Sequence, residues 1–233
     1  MDNESFFETY LYLSPKKFII SIIQIKDLKL IHKIELFIEN DSNTINFEKL
    51  TDFLDDNILK LEKNLNHFIK DISIIIKSED FIPIYLSVKN NNNGNVLTLD
   101  NLSFSLNDAR NQCKKTLAEK KIIHTLIENY QINNEDYSTL PKKLKCNDFS
   151  LDIKFISLSE KFIKTLEKSL KKYQISLNKI ISANYVESFF KDDHDLFTKV
   201  RQIILGCNPN EVEFYNKNTS NKGFFVKFFN FFR

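Results

Sequence analysis

The residue types that most often perform catalysis are few in this chain and lie far apart. Its four histidines fall in separate predicted elements, without the spacing typical of metal ligands, so a structural role is favoured for each. They are His32, His67, His124 and His194. No nucleophile motif such as Gly-x-Ser-x-Gly is present. The sequence therefore predicts no catalytic residues, no metal ligands and no enzymatic activity.

Glycine is also scarce, and this limits nucleotide binding. A phosphate-binding loop needs glycine so that backbone N–H groups can approach the anion. The chain has only three glycines, Gly94, Gly206 and Gly223, and they are isolated from one another. We therefore expect no phosphate loop and no cofactor.

The C-terminal end carries residues whose chemistry suits lipid. On a helix, the six phenylalanines in this segment fall within an arc of about 160°. Lys227 and Arg233 fall on the other side. The predicted membrane-binding residues are Phe224, Phe225, Lys227, Phe228, Phe229, Phe231, Phe232 and Arg233. The segment is too short to span a bilayer and predicts an interfacial amphipathic helix. Docking of this helix on the chain itself or on a protein partner is the alternative.

Composition narrows the class of protein. Hydrophobic residues make up 42% of the 233 residues and charged residues 27%, as in folded soluble proteins. The net charge is +2 and the lysines are scattered, so no nucleic-acid partner is expected. Three widely spaced cysteines indicate reduced thiols in a cytosolic protein, and we expect neither a signal peptide nor a membrane-spanning segment. The cysteines are Cys113, Cys146 and Cys207.

The apolar pattern predicts an α/β protein. Two β-branched runs, Phe18–Ile25 and Leu28–Ile38, predict an antiparallel hairpin. Apolar residues at three- and four-residue steps from Phe47 to Phe68 predict a helix of about six turns. Further strands are predicted at Ile72–Lys77, Ile82–Val88, Val96–Leu102, Ile122–Ile132, Phe149–Ser157 and Ile175–Ala183.

Capping signals locate the other helices. Ser105 with Asp108 resembles a capping box and predicts a helix that runs to about Lys121. Ser159 caps a second predicted helix, and Leu196–Leu205 forms a third. From Ser105 the predicted order is α-β-β-α-β, which is typical of a compact α/β sandwich.

Several strings, in their order along the chain, resemble the amino-terminal half of FtsA, an actin-like membrane adaptor of bacterial cell division. The resemblance begins at the hairpin Phe18–Ile38 and is clearest from Leu106 to Phe189. There Lys121–Ile132 and Leu151–Ser157 are similar to two family strands, and Lys161–Ile181 is similar to the helix and strand that follow. The resemblance implies an α/β (α+β) fold, with a partial actin-like N-terminal sheet-and-helix unit followed by an FtsA-type inserted α/β subdomain.

The chain also departs from that family. The first phosphate loop should be an Asp-x-Gly-Thr/Ser string, but the corresponding stretch near Tyr12–Lys17 has neither the acid nor the glycine. The second phosphate loop and the second half of the actin core are absent after Phe190. The resemblance therefore implies a truncated adaptor that does not bind ATP.

Five domains or segments are predicted from these observations. They are a partial actin-like subdomain (1–103), an inserted subdomain (104–190), a short helical remnant (191–214), a flexible linker (215–222) and the amphipathic membrane helix (223–233).

The resemblance implies a peripheral cell-division adaptor on the cytoplasmic face of the bacterial inner membrane. For such a protein, midcell is one expected location. Its helix would bind an anionic membrane surface, and its inserted subdomain would bind division proteins. The family's FtsZ-binding surface lies mainly in the missing half, so later division proteins or self-association are favoured over FtsZ.

Two other functions stay open. One is an actin-like scaffold of a pilus or secretion assembly; the other is a decayed actin-fold ATPase or kinase with residual nucleotide binding. Scaffolds of the first kind generally dock on membrane proteins rather than on lipid. The phenylalanine-rich end therefore favours cell division.

Overall fold

The computed structural model describes residues 6–39, 42–141, 143–216 and 224–228. The chain divides into two compact units. The first contains Met1–Phe81 and Lys161–Arg201, and the second contains Ile82–Glu160 and Gln202–Arg233. The predicted α/β class is confirmed, with sheets and helices in both units. The unit boundaries differ from the predicted ones at 103/104 and 190/191.

The first unit is built on a five-stranded sheet in the order β3-β2-β1-β4-β9. Its strands are β1 (Phe7–Ser14), β2 (Lys17–Gln24), β3 (Leu30–Phe37), β4 (Asp71–Ile76) and β9 (Ser176–Ser182). The first three form an antiparallel meander, which confirms the predicted hairpin as β2 and β3. β4 lies parallel to β1, and β9 lies parallel to β4.

Helix α1 (Phe47–Leu65) covers one face of this sheet. The Asn46 side chain caps its start by accepting from the Lys49 N–H at 3.0 Å, and Asn66 ends it in the left-handed conformation. Its apolar stripe is buried, and the ring of Phe53 lies 6.0 Å from that of Phe18 in β2. The predicted periodicity is thus the stripe that faces the sheet as far as Leu65, whereas Phe68 lies beyond the end of the helix and is 80% exposed.

Helix α3 (Glu160–Lys171) lies beside α1. The rings of Phe47 and Phe162 meet edge to face, with 5.1 Å between centroids. The Asp55 carboxylate of α1 accepts from Lys172 Nζ and from the Tyr173 hydroxyl, both at 2.5 Å. These contacts join the two helices at an exposed edge of the unit.

The helices α4 (Ala183–Phe189) and α5 (Leu196–Ile204) follow β9. Tyr10 alternates along β1 with Leu11, so it lies on the face opposite to α1. The Phe197 ring of α5 lies 6.0 Å from the ring of Tyr10, so α5 begins against that second face.

The second unit has a four-stranded antiparallel sheet in the order β5-β8-β6-β7, with α2 (Leu99–Thr116) against it. The strands are β5 (Ile82–Asn91), β6 (Lys120–Ile132), β7 (Glu135–Tyr137) and β8 (Asp148–Ser159). Its core includes Leu106, Ala109 and Phe155, all with no exposed surface. β10 (Val212–Asn216) and β11 (Phe224–Phe228) form a separate antiparallel pair.

Strand pairing explains why the unit boundaries differ from the predicted ones. β5 pairs with β8 along its whole length, from Ile82–Ser157 to Asn91–Asp148, and so belongs to the second unit. β9 pairs with β4, so β9 and the helix α3 that precedes it belong to the first unit and not to the inserted one. Pairing partners so distant in sequence leave no local signal.

The start of α2 corrects two predictions. Its capping box is formed by Thr98 and Asn101, whereas Ser105 lies inside the helix and donates to the Asn101 carbonyl at 3.0 Å. The predicted strand Val96–Leu102 is wrong, because only Val96 forms an isolated bridge before the helix begins. A Thr-x-x-Asn cap satisfies the same backbone groups as Ser-x-x-Glu and moves the helix start upstream.

The Asp55 contacts predict a pH-dependent stability. Hydrogen bonds from Lys172 and then Tyr173 lower the pKa of Asp55, so its contribution is present above its unfolded pKa of about 3.9 and is lost as pH falls through the folded value. Asp55→Asn should lower the midpoint of thermal unfolding at pH 7. The difference from the native chain should fade as the pH falls below about 4. An equal difference at pH 7 and pH 3 would contradict this role.

Candidate functional site

The carboxyl ends of three parallel strands meet at one edge of the first sheet, which is the usual position of ligand sites in open α/β sheets. Ile76 at the end of β4 pairs with Leu13 on one side and with Ser182 on the other. We call this region the strand-end edge. It comprises Ser14–Lys17, Lys77–Asp80 and Glu187. It is also where the family resemblance places the first phosphate loop.

The turn between β1 and β2 is closed and contains no glycine. Ser14 pairs with Lys17, and only Pro15 and Lys16 lie between them. The Ser14 hydroxyl donates to the Lys17 carbonyl at 3.1 Å, and the Lys16 carbonyl accepts from the Ile38 N–H at 2.8 Å. Proline has no N–H to donate. The turn therefore lacks the run of backbone donors that surrounds a bound phosphate.

The charged groups that follow β4 are engaged with one another. Lys77 Nζ donates to both carboxylate oxygens of Glu187 at 2.9 Å, and this contact raises the pKa of Lys77. The Ser78 hydroxyl donates to Asp80 at 2.6 Å, and the Asp80 N–H donates back to it at 3.1 Å. Cation and anions at this edge thus compensate each other within the chain.

A cleft of about 430 Å³ lies on the face of the first sheet that α5 partly covers. Ile19 and Ile23 form its floor, Leu28 and Leu30 line it from the β2–β3 hairpin, and Leu196 lines it from α5. Leu28 is half exposed and has a φ of 56°, a left-handed conformation that costs a bulky residue about 1–2 kcal/mol. Charged side chains also line the cleft, with Lys17 and Lys33 from the strands and Asp195 from the residue before α5.

A hydrogen-bonded carboxylate holds α5 beside this cleft. Glu8 of β1 accepts from Arg201 Nε at 2.9 Å and from the Tyr10 hydroxyl at 2.8 Å. Burial, and then the contact with Glu8, raises the pKa of Tyr10, so this phenol stays protonated and acts as a donor. The contact is structural, since it fixes the helix that forms one wall of the cleft.

The second unit contains a buried polar pair that the sequence did not reveal. His124 Nδ1 of β6 and Glu211 Oε1, immediately before β10, lie 2.8 Å apart, and both side chains are buried. Nearby Cys207 does not complete a nucleophilic site, because burial and the charge of Glu211 raise the pKa of its thiol. We assign the pair a structural role, in which it fixes the start of β10.

Other contacts attach β10 to the body of the second unit. Val212 is buried in the core, and the Ile127 N–H of β6 donates to the Asn210 carbonyl at 2.9 Å. The Arg110 guanidinium of α2 lies 4.3 Å from the centre of the Phe214 ring. β10 thus offers a fixed edge with which another strand can pair.

The predicted membrane helix is wrong for Phe224–Phe228, which form the strand β11 on that edge. Val212 pairs with Phe228, and Asn216 pairs with Phe224. Phenylalanine and valine favour strands, and five residues are too few for periodicity to distinguish strand from helix. Of the predicted membrane-binding residues, Phe224, Phe225, Lys227 and Phe228 lie in β11. Phe229, Phe231, Phe232 and Arg233 lie outside the described residues.

Metal-ligand clusters and membrane-spanning helices are both absent from the described residues 6–39, 42–141, 143–216 and 224–228. There, no three histidine, cysteine, aspartate or glutamate side chains come together as metal ligands. No helix among the described elements has the length and apolar character needed to cross a bilayer.

Comparison with known proteins gives similarity to solved structures only. No protein-family model matches the chain, and no curated protein sequence matches it. The cytoplasmic domain of EpsL, an inner-membrane component of the type II secretion system of Vibrio cholerae, is similar at 8% identity and a TM-score of 0.40. That similarity covers 80% of this chain and 61% of the EpsL domain.

Two further structures are similar. A chain of the PilM–PilN type IV pilus biogenesis complex matches at 6% identity and a TM-score of 0.48, over 95% of this chain and 61% of that one. A Bacteroides thetaiotaomicron protein with an actin-like ATPase fold and unknown function matches at 16% identity and a TM-score of 0.34. That similarity covers 79% of this chain and 55% of the Bacteroides protein. This chain spans less than two thirds of each of the three.

The buried pair of His124 and Glu211 predicts a selective loss of stability. Glu211→Ala removes a buried hydrogen-bonding partner and should lower the free energy of unfolding by about 2–3 kcal/mol. Lys89→Ala is the control, because Lys89 forms an exposed ion pair with Asp148 in the same unit, worth under about 0.5 kcal/mol. Urea denaturation measures both changes. Equal changes in the two variants would contradict the structural role.

Proposed function

We propose that this chain is a protein-binding scaffold of the actin-like class that works without nucleotide on the cytoplasmic face of the bacterial inner membrane. The strand-end edge is the observation that carries the proposal. Its turn contains no glycine, the Lys16 carbonyl is already bonded to Ile38, and Lys77 is held by Glu187. An edge closed in this way favours a structural role over nucleotide chemistry.

The order of elements supports the actin-like class. A three-stranded meander is followed by α1 and by two strands parallel to β1, and an α/β unit is inserted between β4 and α3. The FtsA resemblance likewise implies a sheet-and-helix unit with an inserted α/β subdomain, but it assigns α3 and β9 to the insert, whereas here they belong to the first unit. The stretch Tyr12–Lys17, which spans the end of β1 and the turn, lacks the acid and the glycine of the phosphate loop.

Within this class, a scaffold of a pilus or secretion assembly is the reading we favour. A division adaptor that binds lipid directly needs a membrane-binding helix at the C-terminal end. Phe224–Phe228 instead pair with β10 as a strand, so these residues are engaged with the second unit. A scaffold without a lipid-binding helix reaches the membrane by docking on a membrane protein, and that is the kind of partner we propose.

A cell-division adaptor is the second candidate. The strings between Leu106 and Phe189 that resemble FtsA favour it, and so does the concentration of phenylalanine after Gly223. In this reading the partners are an anionic membrane surface and division proteins. The two candidates differ in whether the C-terminal segment binds lipid or the chain itself.

Calorimetry with Mg-ATP tests the absence of nucleotide binding. We expect no saturable heat from the full chain, because the strand-end edge offers no phosphate cradle. Lys77→Ala is the matched control, since Lys77 is the cation at the end of β4 and the group best placed to meet a phosphate. Saturable heat from the native chain that this substitution abolishes would overturn the proposal and favour a residual ATPase or kinase.

A second experiment separates the two candidates. The double variant Phe228→Asp with Phe232→Asp should lower the midpoint of thermal unfolding, because Phe228 of β11 pairs with Val212 of β10. The same variant should leave co-sedimentation with anionic vesicles unchanged. Phe104→Asp is the control, because Phe104 is 72% exposed on α2 and the change replaces an exposed phenylalanine with an aspartate outside the C-terminal segment. Salt-sensitive vesicle binding that only the tail variant loses, at unchanged stability, would favour the division adaptor.

A further inference from the structure

Strand β3 is the open edge of the first sheet. Among the described strands it pairs with β2 alone, so its other side carries backbone groups without a strand partner. Such edges pair readily with another strand unless proline, bulges or uncompensated charges block them. β3 contains no proline. Its register shift against β2 lies near its start, where Ile22 pairs with His32 and Ile23 pairs with Leu30, so that Ile31 is an extra residue of β3 and the regular part of the edge is His32–Phe37.

The hydrogen bonds to β2 determine which groups point outward. The Ile38 N–H donates to Lys16 across the hairpin, and in antiparallel pairs the direction alternates from residue to residue. Leu36 and Ile34 therefore bond toward β2. The N–H and C=O groups of Phe37, Glu35 and Lys33 point toward the open side.

The sequence of this edge is complementary to itself. Consider an antiparallel pair of two β3 strands centred on Ile34. Lys33 of each copy then lies opposite Glu35 of the other copy. The outward backbone groups of Lys33 and Glu35 then meet as hydrogen-bonded pairs, and Ile34 meets its own copy in a non-hydrogen-bonded pair. Backbone direction and side-chain charge thus agree on one register.

The charges of this face suit such a pairing. Glu35 already accepts from Lys17 Nζ at 2.7 Å and from Lys33 Nζ at 2.5 Å, so it is surrounded by cations on its own strand and on β2. Lys33 of a second copy would approach the same carboxylate. No like charges lie directly opposite each other in this register.

The apolar residues of this face also find partners. Phe37 is 73% exposed and Ile31 is 38% exposed, and the same register brings Phe37 of one copy next to the register shift at Ile31 of the other. On its own chain, Phe37 contacts only the Lys17 ammonium among the described ring contacts, at 4.8 Å. An aromatic residue next to a β-branched residue is a favourable cross-strand pair.

We propose that the chain self-associates through β3, which pairs antiparallel with β3 of a second copy around a two-fold axis at Ile34. The two five-stranded sheets become one ten-stranded sheet. The other long edge, β5, is unsuited to this: it begins with Ile82-Pro83, and its only charged residue, Lys89, would find no acid on a second β5. A ladder centred on Ile34 spans at most the seven residues Ile31–Phe37, which is a small interface, so the dimer forms reversibly at high local concentration.

Cysteine cross-linking tests the register directly. Ile34→Cys in a Cys207→Ser background of the full chain should form a disulfide-linked dimer on mild oxidation, because the two Cα atoms would lie about 4.5 Å apart, within disulfide range. Leu36→Cys is the matched control on the same strand and face. Its two copies would be separated by about 14 Å, so it should not cross-link. The native Cys113 and Cys146 are buried.

Charge reversal tests the pairing independently. Lys33→Glu and Glu35→Lys should each weaken the dimer about tenfold in sedimentation velocity, because each places like charges opposite each other twice. A mixture of the two variants should recover association, since every cross-strand pair is then opposite in charge. Circular dichroism verifies that both variants fold. Monomers at every concentration, equal cross-linking at Ile34 and Leu36, or no gain in the mixture would each overturn the proposal.

Discussion

The parallel pairing of β4 with β9 is the constraint on which the rest of the structure depends. Asp71 pairs with Ser176 and Ile76 with Ser182, although many residues separate the two strands. Parallel strands need a crossover connection, and α3 supplies it. The residues between β4 and α3 must therefore fold as a body of their own. They do so around a core in which Tyr130 and Phe155 are almost fully buried.

The same pairing shapes the strand-end edge. Ile76 is held between Leu13 and Ser182, and the Lys77 N–H continues the ladder by donating to the Leu13 carbonyl at 2.8 Å. Lys77 therefore leaves β4 beside the β1–β2 turn and within reach of Glu187 in α4. An arrangement that in other α/β sheets exposes donors to a ligand is here occupied by contacts within the chain.

The sequence predicts features whose cause is local. α1 is an example, because its apolar stripe and the cap at Asn46 lie within one segment. The hairpin of β2 and β3 is another, since β-branched runs flank a short polar turn. β1 was missed because Phe7–Ser14 carries polar residues among its aromatic ones, and its burial depends on neighbours on both sides.

Features that depend on distant partners could not be predicted in this way. His124 and Glu211 are 87 residues apart in sequence, and each is unremarkable among its neighbours. The segment Phe224–Phe228 is a second example, because its apolar pattern fits an amphipathic helix and its residue types also favour a strand. The edge offered by β10 decides between them. That edge exists only once Val212 is buried and Phe214 lies against Arg110.

The way β10 is attached has a mechanical consequence. Its first contacts are with β6, through the bridge between Leu126 and Glu211 and the bond from the Ile127 N–H to the Asn210 carbonyl. At these residues β6 pairs with β8 on its other side, while the short β7 reaches only Tyr130–Ile132. The residues before β10 thus occupy the edge position that β7 leaves open. Tension applied along β10 would load the contacts with Leu126 and Ile127 first, before it reached the long ladder between β6 and β8.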